Sequence, residues 1–251
     1  MKIKKESLTG IIIILAIVFG ITAVYHIKRQ SERNDLAARI AELMPRGGGP
    51  PSNIEDLRKA IALYEEKIEQ HVRDAAQTAV YWKILATRFQ DRGLYNQALE
   101  ALERAVYYAP EDASLYYLSG LSAARIAKSA LDFSGNGDVT VQSRHYALAE
   151  QAYLRAIALD DRYLRPRYGL AILYVYELAR PAEAVPHLLK YLEISTIDTD
   201  AMFVLAAAYY MTEDYQGSLE MYDKIIVTTK DAVRKARAEE LKEAVLRAYY
   251  G

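Results

Sequence analysis

Apolar residues recur in the middle of the chain at the spacing of helices rather than of strands. Trp82, Leu85 and Phe89 stand at i, i+3 and i+7, which predicts one apolar face of an α-helix. A second apolar stripe follows, formed by Ala98, Leu102 and Ala105. Gly93 lies between the two stripes, and Pro110 ends the second one. The pattern therefore predicts two short helices that pack together across a tight turn.

An uninterrupted apolar run stands near the start of the chain. Residues 8–27 contain no Lys, Arg, Asp or Glu, and a helix of about 20 residues spans the roughly 30 Å hydrocarbon layer of a membrane. Basic residues stand on both sides of the run, including the tail of residues 1–7, so charge fixes no orientation. We predict a retained transmembrane helix. A cleaved signal peptide is the alternative, although cleavage after Ala23 would put Ile21 where a small residue is preferred.

Two short segments separate this run from the helical region. Residues 28–44 predict a juxtamembrane helix, because Leu36, Ile40 and Leu43 fall on one helical face. Residues 45–52 are rich in proline and glycine, which predicts a linker. We therefore expect the membrane segment and the helical region to be separate bodies.

The helix pair recurs with a period of about 34 residues. The predicted repeats are 79–112, 113–163, 164–198 and 199–232. The second repeat contains an insertion between its helices, and the third has one extra residue in the 179–183 turn. Residues 53–78 predict an N-terminal capping helix or half repeat, with a helix from about Ile54 to Val72. The charged residues 233–251 predict a C-terminal capping helix, which an open array requires.

The first unit resembles the tetratricopeptide repeat (TPR) family at its signature positions. The matching residues are Trp82, Leu85, Ala86, Phe89, Gly93, Tyr95, Ala98, Leu102, Ala105 and Pro110. The resemblance covers about residues 54–249 of the chain. It implies an all-α, TPR-like solenoid of about four helix-turn-helix repeats plus end helices, and the apolar run adds one N-terminal transmembrane helix.

The same resemblance implies a concave groove, lined by the first helix of each repeat, that binds a protein or peptide partner. The residues that it assigns to this groove are Lys83, Tyr117, Arg125, Arg165, Tyr168, Tyr176, Phe203 and Tyr210. Tyrosine and arginine are common in protein hot spots, although the aromatic residues could instead be buried between helices. Some TPR proteins bind a terminal carboxylate through a Lys/Asn/Arg clamp. Thr87 and Leu118 stand where the clamp needs asparagines, so we do not expect this clamp here.

Composition narrows the function further. The chain has 32 Lys and Arg against 33 Asp and Glu, which argues against nucleic-acid binding. It has no cysteine, and its four histidines lie far apart, so we predict no enzyme, no metal and no cofactor. Residues 132–138 resemble half of a calcium loop, but Ser143 stands where the closing glutamate is needed. An inert turn or a protruding contact loop is the alternative.

These observations predict a membrane-anchored scaffold or adaptor that binds a protein or peptide partner, with its soluble part outside the cytoplasm. Roles in envelope assembly, secretion or transport would suit it. One alternative is a ligand-delivery component of a transporter, in which the array curls around an apolar ligand. The other is a regulatory subunit that faces the cytoplasm. The fold alone does not choose among them.

Overall fold

The computed structural model describes residues 38–39, 54–130 and 140–250 of the 251-residue chain. The chain divides into two compact units, Met1–Asp74 and Ala75–Gly251. No helix in the described ranges is long and apolar enough to cross a membrane.

Several predicted segments lie outside the described residues. They are the tail 1–7, the transmembrane helix 8–27, the linker 45–52, the loop 132–138 and all of 28–44 except residues 38–39. For these segments the interpretation of the sequence stays a prediction.

The described ranges are helical except at the turns between elements. The helices are α1 (Ile54–Asp91), α2 (Tyr95–Tyr108), α3 (Ala113–Ser129), α4 (Val141–Leu159), α5 (Leu164–Ile172), α6 (Pro181–Leu192), α7 (Thr199–Met211), α8 (Tyr215–Thr228) and α9 (Ala232–Tyr250). A π-helical segment, Leu173–Glu177, continues α5. The all-α expectation is therefore confirmed for these residues, whereas the boundaries of the repeats as domains stay a prediction.

The helix α1 is longer than the sequence predicted. The expected end near Val72 is wrong, since α1 continues without a break to Asp91. Residues 73–78 contain neither glycine nor proline, so nothing there interrupts the backbone hydrogen bonds of a helix. Side-chain hydrogen bonds one turn apart also support this stretch, because Arg73 donates to Glu69 at 3.2 Å.

Short oxygen-bearing side chains start several of the helices. Asp112 accepts a hydrogen bond from the backbone N–H of Ser114 at 2.9 Å, and so caps α3. The other residues that cap a helix in this way are Thr140, Asp198 and Asp214. These caps explain why α3, α4, α7 and α8 begin where they do.

The helices of Ala75–Gly251 form two layers. The first helices of successive repeats, α3, α5 and α7, contact one another in order, and the second helices α4 and α6 each pack against the first helix before and the first helix after. In a curved two-layer array the inner helices lie closest together. The contacts between first helices agree with a concave face on that side, which stays an expectation from the resemblance.

Tyr153 of α4 fits into a slot between two glycines. A Cβ atom added at Gly120 of α3 would lie 2.6 Å from Cε1 of this ring, and one added at Gly169 of α5 would lie 2.9 Å from its Cζ. Both distances are too short for real contacts, so only glycine leaves room for the ring. Tyr153 itself is buried. The ring therefore joins the first helices of the second and third repeats.

The turn between the helices of a repeat uses left-handed backbone. Gly93 has φ of 73°, and the corresponding turns have Glu213 at 63° and Ala179 at 52°. Glycine adopts this conformation without steric cost, whereas residues with a Cβ atom are strained there. The predicted position of Gly93 in a turn is confirmed.

The extra residue of the third repeat was predicted to lie in the 179–183 turn, and this prediction is wrong. The extra residue lies in the helix that precedes the turn. The segment Leu173–Glu177 is closed by a hydrogen bond from the backbone N–H of Leu178 to the carbonyl of Leu173, at 3.0 Å. Such an i→i+5 turn holds one more residue than an α-helical turn. The following turn, residues 178–180, thereby keeps the three-residue length of the turn at 92–94.

Candidate functional site

The aromatic groove residues lie on the first helices, at the positions that face their neighbours on the concave side. Tyr117, Tyr168 and Phe203 occupy equivalent places on α3, α5 and α7 and are half-buried, while Tyr176 and Tyr210 are exposed. The alternative that these aromatic residues are wholly buried does not hold for any of the five. Each of these five side chains is therefore partly open to solvent.

Lys83 differs from the other groove residues because its ammonium group already forms an ion pair within the chain. Its Nζ lies 3.1 Å from Oδ2 of Asp112, and it also donates to the hydroxyl of Ser114. Burial alone would raise the pKa of Asp112, but the hydrogen bonds from Ser114 and Lys83 outweigh it, and the net shift is downward. Lys83 therefore fastens α1 to the start of α3.

The middle of the groove begins with a pair of tyrosine rings. Tyr117 meets Tyr163 edge to face, with ring centroids 5.4 Å apart, and lies 6.2 Å from the buried ring of Tyr153. Burial raises the pKa of Tyr163, and the neighbouring Tyr117 adds to the effect. The positive charge of Arg165 acts in the opposite direction and lowers the pKa of Tyr163. This end of the groove thus joins two aromatic rings to a guanidinium group.

Tyr168 forms the centre of the aromatic surface. Its ring lies 5.3 Å from that of Tyr191 of α6, whose hydroxyl donates to Asp198 at 2.8 Å. Burial raises the pKa of Tyr168 to about 12, and the carboxylates of Asp200 and Asp198 contribute. The phenol is therefore neutral over the whole physiological pH range and can donate a hydrogen bond to a ligand.

The π turn determines where Tyr176 stands. Tyr174 and Val175 of the same segment are buried, whereas Tyr176 is 56% exposed. Burial of its hydroxyl end raises the pKa of Tyr176. Tyr176 also adds to the raised pKa values of Tyr168 and of Tyr222 in α8. Tyr176 is therefore near both of these tyrosines, one in the third repeat and one in the fourth.

The aromatic surface continues along the fourth repeat. Phe203 lies 6.2 Å from Tyr222, and Tyr210 lies 5.8 Å from Tyr215 of α8. Tyr215 in turn lies 5.7 Å from Tyr249, near the end of α9. Half-buried and exposed aromatic residues therefore extend from the second repeat to the last helix.

Carboxylates on the first helices already have partners. Asp200 pairs with the guanidinium of Arg234 on α9. Glu177, at the end of the π turn, accepts a hydrogen bond from the Tyr146 hydroxyl at 2.5 Å and pairs with Lys128 at 3.4 Å. These negative charges are therefore compensated within the chain.

The two arginines of the groove are not compensated in this way. Arg125, near the end of α3, and Arg165, at the start of α5, are both described by the structure, and Arg125 is exposed. Within the described residues, neither has a carboxylate oxygen within 4.0 Å. Both guanidinium groups therefore lack a close carboxylate partner among the described residues.

Sequence reasoning missed the rings that pack against this surface. Tyr191 and Tyr222 belong to second helices, and Tyr163 precedes α5, so the rule that assigned first-helix positions passed over them. The sequence did contain a signal for these rings. The chain has 21 tyrosines, and in the later repeats they stand at helical spacing in both helices. Spacing within one helix does not reveal which rings of a second helix reach the inner layer.

A cavity of about 350 Å³ lies beside the groove at the ends of two turns. Its lining is mainly acidic and hydroxylic, and consists of Glu111, Asp112, Ala113, Ser114, Asp160 and Tyr163. Among the described residues, no group of three or more His, Asp or Glu side chains is arranged to hold a metal ion.

Comparison with known proteins agrees with the repeat pattern. No protein-family profile matches the chain. A TPR repeat-containing protein of Borreliella burgdorferi (strain ATCC 35210 / DSM 4680 / CIP 102532 / B31) is 25% identical over 216 residues, which are 86% of this chain and 88% of the relative. The similarity therefore extends over nearly the whole length of both proteins.

Solved structures show the same fold. YrrB, a TPR protein with an unusual peptide-binding site, superposes with a TM-score of 0.52 at 20% identity, over 74% of this chain and 85% of its own. TTC0263, a thermophilic TPR protein of Thermus thermophilus, gives 0.53 at 19% identity, over 72% and 88%. MamA gives 0.50 at 19% identity, over 76% and 98%. At these identities the likeness concerns the fold.

Proposed function

The chain is a tetratricopeptide-repeat protein, and from this premise we propose that it is a non-catalytic scaffold whose concave face binds a protein or peptide partner. The proposal rests on the partly exposed aromatic residues at equivalent first-helix positions, Tyr117, Tyr168 and Phe203, each of which is packed against a second ring. Partly exposed rings on a rigid helical support offer large contact area at a low entropic cost.

The charges of the groove indicate the chemistry of the partner. Arg125 and Arg165 offer guanidinium groups without a carboxylate partner in the described residues, whereas Lys83 is engaged with Asp112. A segment with apolar or aromatic anchors and at least one acidic side chain would therefore complement the second and third repeats. The peptide-binding site for which YrrB is described supports a peptide as the form of the ligand.

We further propose that the scaffold is held at a membrane with its repeats outside the cytoplasm. The support is the apolar run of residues 8–27 and the linker that follows it. A role in envelope assembly, secretion or transport would place the partner at the same membrane. The opposite orientation, with a cytoplasmic partner, is the competing arrangement.

In-cell photo-crosslinking tests the groove directly. A photo-reactive amino acid at Tyr176 should link a partner of defined mass. The matched control is Tyr107, which is 80% exposed on a second helix, α2. The same adduct from both positions, or none from Tyr176, would contradict a partner in the groove.

The identified partner then allows a quantitative test. Replacing Tyr168 and Tyr210 together by alanine should weaken binding at least tenfold, because about 1.4 kcal/mol of contact energy corresponds to a factor of ten. Helical content should stay unchanged, and Tyr107→Ala should bind normally. Unchanged binding of the double variant would exclude the groove as the binding surface.

Topology is tested by chemical labelling. The chain has no native cysteine, so Ile197→Cys, at a site that is exposed in the turn before α7, creates a single thiol. A membrane-impermeant maleimide should label it in intact cells or spheroplasts. Labelling only after lysis would overturn the extracytoplasmic orientation and leave the groove proposal intact.

A further inference from the structure

The first half of α1, within the unit Met1–Asp74, carries an apolar face that is open to solvent. Ile54, Ile61, Ile68 and Val72 are 72%, 54%, 61% and 62% exposed. Leu57 and Tyr64 lie in the same stripe and are also exposed. Large apolar side chains scattered singly are normal on a protein surface, but a contiguous stripe marks an interaction surface.

The stripe has the spacing of a coiled-coil seam. Ile54, Leu57, Ile61, Tyr64 and Ile68 alternate steps of three and four residues, which is the a/d pattern of a heptad repeat. Ala60 and Leu63 are buried on a different face of the same helix. The stripe is therefore a second apolar face and is not needed for that packing.

The charges beside the stripe indicate what covers it. Several neighbouring ions are already paired on α1, since Lys59 lies 2.8 Å from Glu55 and Arg73 lies 3.2 Å from Glu69. In contrast, Arg58 and Glu65 form no ion pair with any described residue. Both occupy the e position, which directly follows a d position of the seam.

We propose that the stripe binds the same stripe of a second copy of the chain, with the two helices antiparallel. If Ile61 of one copy packs beside Tyr64 of the other, Leu57 packs beside Ile68. The same register places Arg58 of each copy opposite Glu65 of the other. Two identical ion pairs then flank an apolar seam. A parallel pair would instead place Glu65 near Ala60, without an opposite charge.

This self-association is independent of the proposed groove function, because the stripe and the groove share no residue. The seam is only about two and a half heptads long, so the pair is expected to be a weak one. Tethering both copies to one membrane surface would raise their effective concentration. Self-association would then present two grooves together.

Disulfide trapping of the full-length chain in detergent tests the register. Leu57→Cys and Ile68→Cys chains carry different tags and are oxidised separately and as a mixture. The antiparallel register predicts disulfides only in the mixture, because like positions would be 11 residues apart along the seam, about 16 Å. A disulfide requires Cα atoms within about 7 Å. Self-linking of each variant alone, or no linking at all, overturns the proposal.

Equilibrium sedimentation of the full-length chain tests the chemistry of the seam. Ile61→Asp should raise the dimer dissociation constant at least tenfold, whereas Val227→Asp, at an exposed apolar site on α8, should not change it. Arg58→Glu should weaken the dimer, and the swapped variant Arg58→Glu/Glu65→Arg should restore it. A chain that stays monomeric at every concentration, or a stripe protected from labelling only by lipid vesicles, contradicts self-association.

Discussion

The first repeat and the middle of the array use equivalent groove positions for different purposes. In the first repeat, Lys83 is tied to Asp112 and Gln90 donates to the Leu118 carbonyl at 3.0 Å, so both polar groups hold successive helices together. In the third repeat, the place of Lys83 is taken by Tyr168, which leaves part of its ring open.

This difference shows that a groove position is not in itself a binding position. A polar side chain that reaches the next repeat already makes its hydrogen bonds within the chain. A ring that packs on another ring still exposes its outer edge to solvent. If the proposed function holds, the partner should therefore contact the middle of the array more than its beginning.

The largest expected effect concerns the support beneath the middle of the groove. Gly120→Ala would place a methyl group 2.6 Å from the ring of Tyr153, so we expect the free energy of unfolding to fall by about 1–3 kcal/mol. Chemical denaturation measures it. Ser119→Ala, one residue earlier and half-buried, should change stability by less than about 0.5 kcal/mol. Equal effects of the two changes would contradict the close packing at Gly120.

Substitutions in the turns should change the free energy of unfolding in opposite directions. Gly93→Ala should cost about 1 kcal/mol, because the added Cβ atom is strained at a φ of 73°. Ala179→Gly, in the third repeat, should instead stabilise the protein by up to about 1 kcal/mol. Thermal or urea unfolding of both variants checks the opposite signs. A stabilising Gly93→Ala would mean that the two turns differ in backbone conformation.

The engaged lysine should matter to stability more than to binding. Lys83→Met removes an ion pair with Asp112, in which both side chains are about one third exposed, so the expected loss is about 0.5 kcal/mol. Partner affinity, measured by calorimetry, should change less than twofold. A large loss of affinity without a loss of stability would return Lys83 to the binding surface.

The smallest expected effect is a dependence on pH in the third repeat. Burial, with the nearby Arg167, lowers the pKa of His187 below its ordinary 6.5. The unfolded chain therefore binds the proton more readily, and stability should decrease as the pH falls below about 6.5. His187→Gln should reduce this decrease in thermal unfolding between pH 7.5 and 5.5. Identical decreases in both proteins would contradict the assignment.

Much of the fold could be predicted from the sequence because each repeat carries its own helical spacing. Gly93 indicated a turn and Pro110 the end of a helix. The continuation of α1 past Val72 was missed because an apolar face can end while the helix goes on. The π turn was missed because spacing shows that a residue is extra, but not where the backbone takes it up.

The candidate groove could be predicted only in part. The positions of Tyr117, Tyr168 and Phe203 follow from repeat spacing, but their exposure depends on second-helix rings such as Tyr191 and Tyr222. The engagement of Lys83 depends on a cap residue of the next repeat. Such contacts join residues far apart in sequence, and no local pattern reports them.

The π turn also lets the third repeat hold one extra residue without shifting the helices that follow. An extra residue in an ordinary helix would rotate everything after it by about 100°, and the misalignment would pass from one repeat to the next. Here the widened turn confines it to Leu173–Glu177, and α7 has the regular 13 residues. The fourth repeat therefore keeps the register that it would have if the third repeat were one residue shorter.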